Sequence, residues 1–301
     1  MSTGPELTVV IAAHNAGPVI GDTLHALIAE MRDGDEVIVG DSSTDGTVDI
    51  IRRFASVRLL HYDQPLTVPE LRGRAIAHAR GRIIAILDPF SVVASGWRDV
   101  VVEAHANCEH PVIGGAVELR GDGRRSHAAW ALYINEYGMF MPPVHAGAAD
   151  LVPGCNVSYK RRALFAGDTP RFDVFWKTFV NWEIQAAGTP LWLEPRAVVE
   201  LDKPIPLSDF LVSRFDHGRC FAGMRSATWS RGKRLVRAIL APVLPPLLLW
   251  RWSRVYWAKR RHRRRLIETL PLQVALFGVW AAGEACGYLL GGGQSCRRLF
   301  Y

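Results

Sequence analysis

Three apolar runs in the first ninety residues each stop at a polar group able to do chemistry. Leu7–Ala13 (LTVVIAA) stops at His14-Asn15, Val37-Ile38-Val39 at Gly40-Asp41, and Arg82–Leu87 (RIIAIL) at Asp88. A carboxylate in such a place accepts hydrogen bonds from a neutral base or a ribose hydroxyl. The octet around Asp41, GDSSTDGT over 40–47, adds hydroxyls and a glycine, which suit a tight turn and a helix start. One Asp at a strand end is as readily a turn former as a ligand group. Two on consecutive loops of one sheet point to a pocket, because open α/β sheets bind ligands outside the carboxyl ends of their strands.

The elements that must position these groups follow from periodicity. The β-branched runs have the composition of buried parallel strands. Between them, Val19, Ile20, Leu24, Leu27, Ile28 and Met31 recur at helical spacing, and Asp33-Gly34-Asp35 breaks the pattern. A helix over about 48–54, a strand over Val57–Tyr62, a helix over Glu70–Ala79 ended by Gly81, and the strand before Asp88 continue the alternation. Trp97–His105 reads as a helix, Val112–Leu119 as a strand, Leu191–Val199 as the strand that closes the sheet, and Phe210–Arg225 as a helix. Gly121–Arg125 reads as an exposed basic turn, and the aromatic stripe Trp130–Met141 as core or, alternatively, as the floor of a pocket for an apolar acceptor. The fold class is α/β, a mostly parallel sheet flanked by helices.

The 301 residues, 49% hydrophobic, can bury a sizeable core. The net charge of +7 is local: Arg231–Arg265 holds twelve Lys or Arg and no Asp or Glu, while residues 1–230 are net acidic. This excludes the diffuse charge of a nucleic-acid binder and marks a basic patch between apolar runs. The five cysteines have no metal-type spacing and read as small apolar residues of a reduced, cytosolic protein. The start MSTGPELTVVIAAHN has no basic n-region, so no signal peptide is expected.

The order of these motifs resembles the inverting family 2 glycosyltransferases of the GT-A (Rossmann-like) fold. IAAHN at 11–15 is similar to their first-strand motif, GDSSTDGT at 40–47 to their DDGSTDGT, and Arg72 with Ala79 and Gly81 to the helix before their metal strand. ILDPF at 86–90 stands where the family carries D-x-D, and Leu151–Tyr159 is a strand by its resemblance to one of theirs. The resemblance implies binding of a nucleotide-diphosphate sugar and direct, inverting attack by an acceptor hydroxyl. It assigns Ala12, Ala13 and His14 to the base, Asp41 to the base or ribose, and Arg72 to the diphosphate. Asp88 would hold Mg2+ or Mn2+ at the diphosphate. His217, Arg219 and Arg225 are spaced like the family's C-terminal helix, which puts Arg219 and Arg225 at the diphosphate.

Two departures from the pattern bear on the chemistry. The D-x-D is Asp88-Pro89-Phe90, without its second carboxylate, and the place of the catalytic Glu-Asp pair before Gly188 holds Trp176-Lys177. The nearest carboxylates are Asp173 and Glu183, of which Glu183 reads as the best available base. The alternative reading is a nucleotide-sugar-binding or scaffold protein that has lost catalysis. A nicotinamide-type Rossmann enzyme is disfavoured, because no GxGxxG follows the first strand.

Residues 1–230 are thus expected to be the glycosyltransferase domain and 231–301 a membrane-associated tail. In the tail, 235–250 and 270–291 are apolar and RWSRVYWAKRRHRRR lies between them. Two spanning segments would put this basic loop outside, against the positive-inside rule. The first segment therefore reads as lying in the membrane plane, with aromatics at the interface and cations on anionic lipid headgroups, and the second as dipping in or spanning once. The expected place is the cytoplasmic side of the inner or plasma membrane, and the expected acceptor a lipid-linked or envelope polysaccharide.

Overall fold

A computed structural model describes residues 4–121 and 126–300. The basic turn expected at 121–125 lies, apart from Gly121, outside the described residues. The chain divides into two compact units, residues 1–120 with 140–203, and residues 121–139 with 204–301.

The first unit begins with β1 (Leu7–Ala13), α1 (Gly17–Glu30), β2 (Glu36–Asp41), α2 (Thr47–Ile51), β3 (Val57–His61), α3 (Val68–Ala77) and β4 (Ile83–Leu87). The short β5 (Ser91–Val93), α4 (Trp97–Asn107) and β6 (Val112–Leu119) follow, and then α5 (His127–Tyr137), which belongs to the second unit. The first unit resumes with β7 (Gly147–Ala149), β8 (Asn156–Lys160), α6 (Arg161–Leu164), β9 (Phe165–Ala166), β10 (Thr169–Pro170), α7 (Lys177–Ala186) and β11 (Leu191–Leu201). Nine strands form one sheet in the order β3-β2-β1-β4-β8-β6-β11-β5, with β7 on β11. β1, β2, β3, β4, β6 and β11 point the same way, and β5, β7 and β8 run against them. The sheet is thus mixed but mostly parallel, as the alternating pattern predicts.

The buried runs explain why the strand ends are fixed. Leu7, Val9, Val10 and Ile11 have no exposed surface. Full burial of each such side chain contributes about 1.5–3 kcal/mol. On one face, Val10, Ile38, Ile84 and Ile86 pack with Ala75 and Ile76 of α3, Phe175, and Val180 of α7. α3 starts two residues before its expected place. Thr67 and Glu70 form a capping box there, with the Thr67 amide donating to Glu70 at 2.8 Å. The strand expected over Leu151–Tyr159 shortens to β8, since Pro153 and Gly154 interrupt its start. β11 is last in sequence but lies inside the sheet, between β6 and β5.

The second unit is helical: α5, α8 (Leu207–Arg225), α9 (Arg231–Leu240), α10 (Leu244–Ala258), α11 (Arg263–Glu268) and α12 (Leu270–Leu290). The later change of compact unit falls at 203/204, so α8 goes with the helices that follow it. The reason is the close contact of α8 with α12. A Cβ on Gly218 would lie 2.5 Å from the Trp280 carbonyl oxygen, and one on Gly283 would lie 2.3 Å from that of Phe215. One expectation about the cysteines is corrected: Cys220 and Cys296 are joined as a disulfide, which Cys108, Cys155 and Cys286 do not enter. The partners lie 76 residues apart, on α8 and in the turn after α12, a pairing that spacing along the chain does not reveal.

Candidate active site

Parallel register lines up the strand ends. Ala13 of β1 pairs with Asp41 of β2, and Asp41 pairs with His61 of β3. β4 lies on the other side of β1, and Asp88 follows its last residue. Sequence alternation thus becomes a row of polar groups along one edge, where ligands of open α/β sheets bind.

The 40–47 loop is tied to the 14–17 loop. Asn15, in the left-handed region with φ 48°, receives Thr44 N on its side-chain oxygen at 2.9 Å, and its own amide donates to Ser43 Oγ at 2.8 Å. His14 Nδ1 lies 3.1 Å from the Ser42 carbonyl oxygen and 3.2 Å from its hydroxyl. The Ala13 carbonyl accepts from Ser42 N at 3.2 Å, and Ala12 and Ala13 are buried. Burial raises the Asp45 pKa, but hydrogen bonds from the Thr47 hydroxyl and amide and from Gly17 N outweigh it, so the net shift is downward.

Asp41 is fully buried. Its carboxylate accepts from Ser43 N at 3.0 Å, Ser43 Oγ at 2.6 Å and His61 Nδ1 at 2.8 Å. A carboxylate acceptor makes Nδ1 the protonated nitrogen, so Nε2 is the ring's outward nitrogen, 3.6 Å from Asp63 Oδ1. Asp41 therefore orients the loop and the ring, and the His61 ring is the group with exposed surface. Sequence reading overlooked His61. The signal was there: VRLLH ends an apolar run as LTVVIAA does before His14.

Arg72 of α3 and Asp88 form a close ion pair, each side chain 12% exposed. The Arg72 Nε is buried with no hydrogen-bond partner, and so is the Ser91 hydroxyl. Tyr159 lies near enough for the Arg72 charge to act on its phenol. Burial nevertheless dominates and raises the Tyr159 pKa far above its usual value. The expected metal is tested by this donor set. One carboxylate already neutralised by a guanidinium is a poor hard-cation site, and no cluster of three or more His, Cys, Asp or Glu occurs among the described residues. The residues do not fit a metal held by the protein.

The segment before α7 crosses α3 beside Arg72. Phe175 N donates to the Pro69 carbonyl at 2.8 Å, and a Cβ on Gly73 would lie 2.1 Å from the Asp173 carbonyl oxygen. Asp173 is exposed. Glu183 is exposed on α7 and pairs with Arg171, and Lys177 donates to the Val152 carbonyl at 2.7 Å. In the second unit, Arg219 Nε donates to the Gly291 carbonyl at 3.2 Å. Arg225 lies over the Phe221 and Trp229 rings, and His217 Nδ1 contacts the Ser213 carbonyl and hydroxyl.

Comparison with known proteins places this geometry. Over 89 residues the chain is 30% identical to TuaG of Bacillus subtilis (strain 168), named for teichuronic acid biosynthesis as a glycosyltransferase. That match covers 28% of this chain and 35% of TuaG, so the chain spans about a third of that relative. The mannosyltransferase PcManGT from Pyrobaculum calidifontis, solved with GDP-Man and Mn2+, superposes with TM-score 0.51 at 22% identity, over 72% of this chain and 62% of its own. Residues 1–349 of S. aureus TarS with UDP superpose with TM-score 0.51 at 13% identity, over 93% of this chain and 90% of that one. These likenesses show the GT-A type of fold. The description "Glycosyl transferase family 2" matches residues 8–164, more than half of the chain, and the chain belongs to that family.

Proposed function

We propose that this member of the family moves a hexose from a nucleotide-diphosphate donor to a lipid-linked or envelope-polysaccharide acceptor, with inversion. The observation that carries the donor side is the Arg72–Asp88 pair at the end of β4: a guanidinium held in place by a carboxylate, with one donor unpartnered. A planar cation of this kind suits phosphate oxygens. GDP-Man in PcManGT and UDP in TarS support such a donor, and the naming of TuaG supports an envelope acceptor.

The reading gives each group a task. His14, the Ala12-Ala13 backbone and the His61 ring held by Asp41 contact base and ribose. Arg72 balances the charge that develops on the leaving diphosphate. The acceptor oxygen bonds to the anomeric carbon as the bond to the diphosphate oxygen breaks. That bond's electron pair leaves with the nucleoside diphosphate, and the hydroxyl proton passes to a carboxylate. Asp173 is favoured for this, because its backbone lies on α3 next to Arg72 and its carboxylate is exposed. Glu183, the choice from sequence, is engaged by Arg171. No step is assigned to a metal. Mn2+ in PcManGT supports one in the family, and a chelator arm of the assay decides for this chain.

The test is release of nucleoside diphosphate from a panel of UDP- and GDP-sugars by purified protein, with bacterial membrane lipids as acceptors and with or without EDTA. Turnover with one donor supports the reading. Nucleotide binding without turnover of any donor, with or without Mn2+, favours the scaffold alternative instead.

A further inference from the structure

The second unit carries an apolar stripe that its own core leaves uncovered. Leu235, Ile239, Val243, Leu247 and Trp250 follow one another at intervals of four or three residues along α9, the 3-10 turn at 241–243 and α10. They are 52%, 65%, 56%, 50% and 57% exposed, and Trp257 continues the line. Spacing of this kind puts side chains on one face. The other face is occupied: Ala238 packs with Ala222 and Tyr288, and the Tyr256 ring covers Gly138. Single exposed apolar residues are ordinary, but a continuous stripe marks an interaction surface.

The charge around the stripe says what the surface meets. Arg231–Arg265 has twelve cations and no acid. Arg254 lies 4.8 Å from the Trp250 ring centroid and Arg263 lies 4.7 Å from that of Trp257, so exposed aromatics and cations share the same rim. A protein partner that buried such a rim would have to supply the acids. An anionic lipid surface supplies phosphates beside acyl chains in one layer, and interfacial Trp and snorkelling Arg are suited to that boundary.

The length argues against a span. Arg231–Ala258 passes as a membrane helix by length and composition, and its apolar window is 11% buried. Yet Arg237 and Arg251 bracket its uncharged part, Ala238–Trp250, and Pro242, Pro245 and Pro246 lie within it. Those thirteen residues reach about 20 Å at 1.5 Å per residue, short of the roughly 30 Å hydrocarbon core.

We propose that α9 and α10 form a monotopic docking face that lies in the plane of an anionic membrane, its stripe among the acyl chains and its cations on lipid phosphates. The proposal is independent of the donor chemistry. Its test uses the full chain and vesicles of phosphatidylcholine alone or with phosphatidylglycerol. Flotation is expected to carry at least tenfold more protein up with the vesicles when they contain phosphatidylglycerol, and 0.5 M NaCl is expected to reduce it. Ile239→Glu with Leu247→Glu, both on the exposed face, should abolish binding while leaving the helical circular dichroism and nucleoside-diphosphate binding in lipid-free solution unchanged. Lipids brominated near the headgroup should quench Trp fluorescence more than lipids brominated near the chain end. Equal binding to neutral vesicles, deeper quenching, or a dimer in lipid-free solution that the double variant dissolves would each overturn it. Failure of the parent protein to bind either kind of vesicle, with its donor turnover intact, would count against this face alone and not against the proposed function.

Discussion

The backbone of Asp173 passes directly over Gly73, so close that a Cβ on Gly73 would sit 2.1 Å from the Asp173 carbonyl oxygen. A glycine at this crossing lets the segment before α7 lie on the helix that carries Arg72. Gly73→Ala is expected to push the segment away, cost about 1–3 kcal/mol in overpacking, and lower kcat at least tenfold. Thermal unfolding and steady-state kinetics check both parts.

Under the proposed mechanism the same crossing favours Asp173 as the base. Asp173→Asn is expected to reduce kcat about 10²- to 10⁴-fold, the usual scale of general-base loss, with donor affinity unchanged by calorimetry. Glu183→Gln should stay within a fewfold of the parent. If Glu183→Gln were the crippled variant, the assignment would revert to the one drawn from sequence.

Arg72 is expected to act on the donor. Arg72→Ala removes charge-assisted hydrogen bonds of about 1.5–3 kcal/mol each, roughly a 10- to 100-fold weakening of nucleoside-diphosphate binding. It also leaves Asp88 without its cation. Arg72→Lys keeps a charge but loses the fork, so it should recover only part of the affinity. Binding by the parent should change little with EDTA; a tenfold loss on chelation would restore a metal to the site.

Asp41→Ala is expected to abolish donor binding, through its neighbours as much as through a lost ligand. It strips the acceptor from Ser43 N, Ser43 Oγ and His61 Nδ1 at once. His61→Ala should weaken donor binding but spare the fold. If Asp41→Ala left binding intact with an unchanged melting temperature, the strand-end pocket would be wrongly placed.

His105 supplies a pH dependence. Burial, reinforced by the nearby Lys160 charge, pushes its pKa from 6.5 down to about 3, and Nε2 contacts the Ser158 hydroxyl at 2.8 Å. Between these values the unfolded chain takes up a proton that the folded one refuses. Stability is therefore full above pH 6.5 and falls as the pH drops, by about 1.4 kcal/mol per unit. His105→Gln should flatten the decline between pH 6.5 and 5, as read by urea midpoints. An unchanged slope would argue against a neutral, buried imidazole.

Much of the N-terminal half was legible because period and punctuation agree there. Leu7–Ala13 and Val112–Leu119 are the observed strands to the residue, since each run stops just before a glycine-containing polar turn. Asp41 was legible as the polar end of a strand, but its contact with His61 was not. Register between strands brings them together, and register is not written in either run alone. The Asp173–Gly73 crossing, the Arg72–Asp88 pair and the Cys220–Cys296 bond are long-range contacts that no local spacing records. The unit boundary at 203/204 was hidden for the same reason: 121–139 and 204–230 read as continuations of the first domain until α8 meets α12.

The Cys220–Cys296 bond changes what the C-terminal quarter is. With α8 at one end and the turn after α12 at the other, the oxidised polypeptide from 220 to 296 is a closed ring and not a free tail. A single protease cut in the turn at 241–243 would then open the ring without releasing a piece. The two fragments should travel as one band on a gel until a reductant is added, and separate only then.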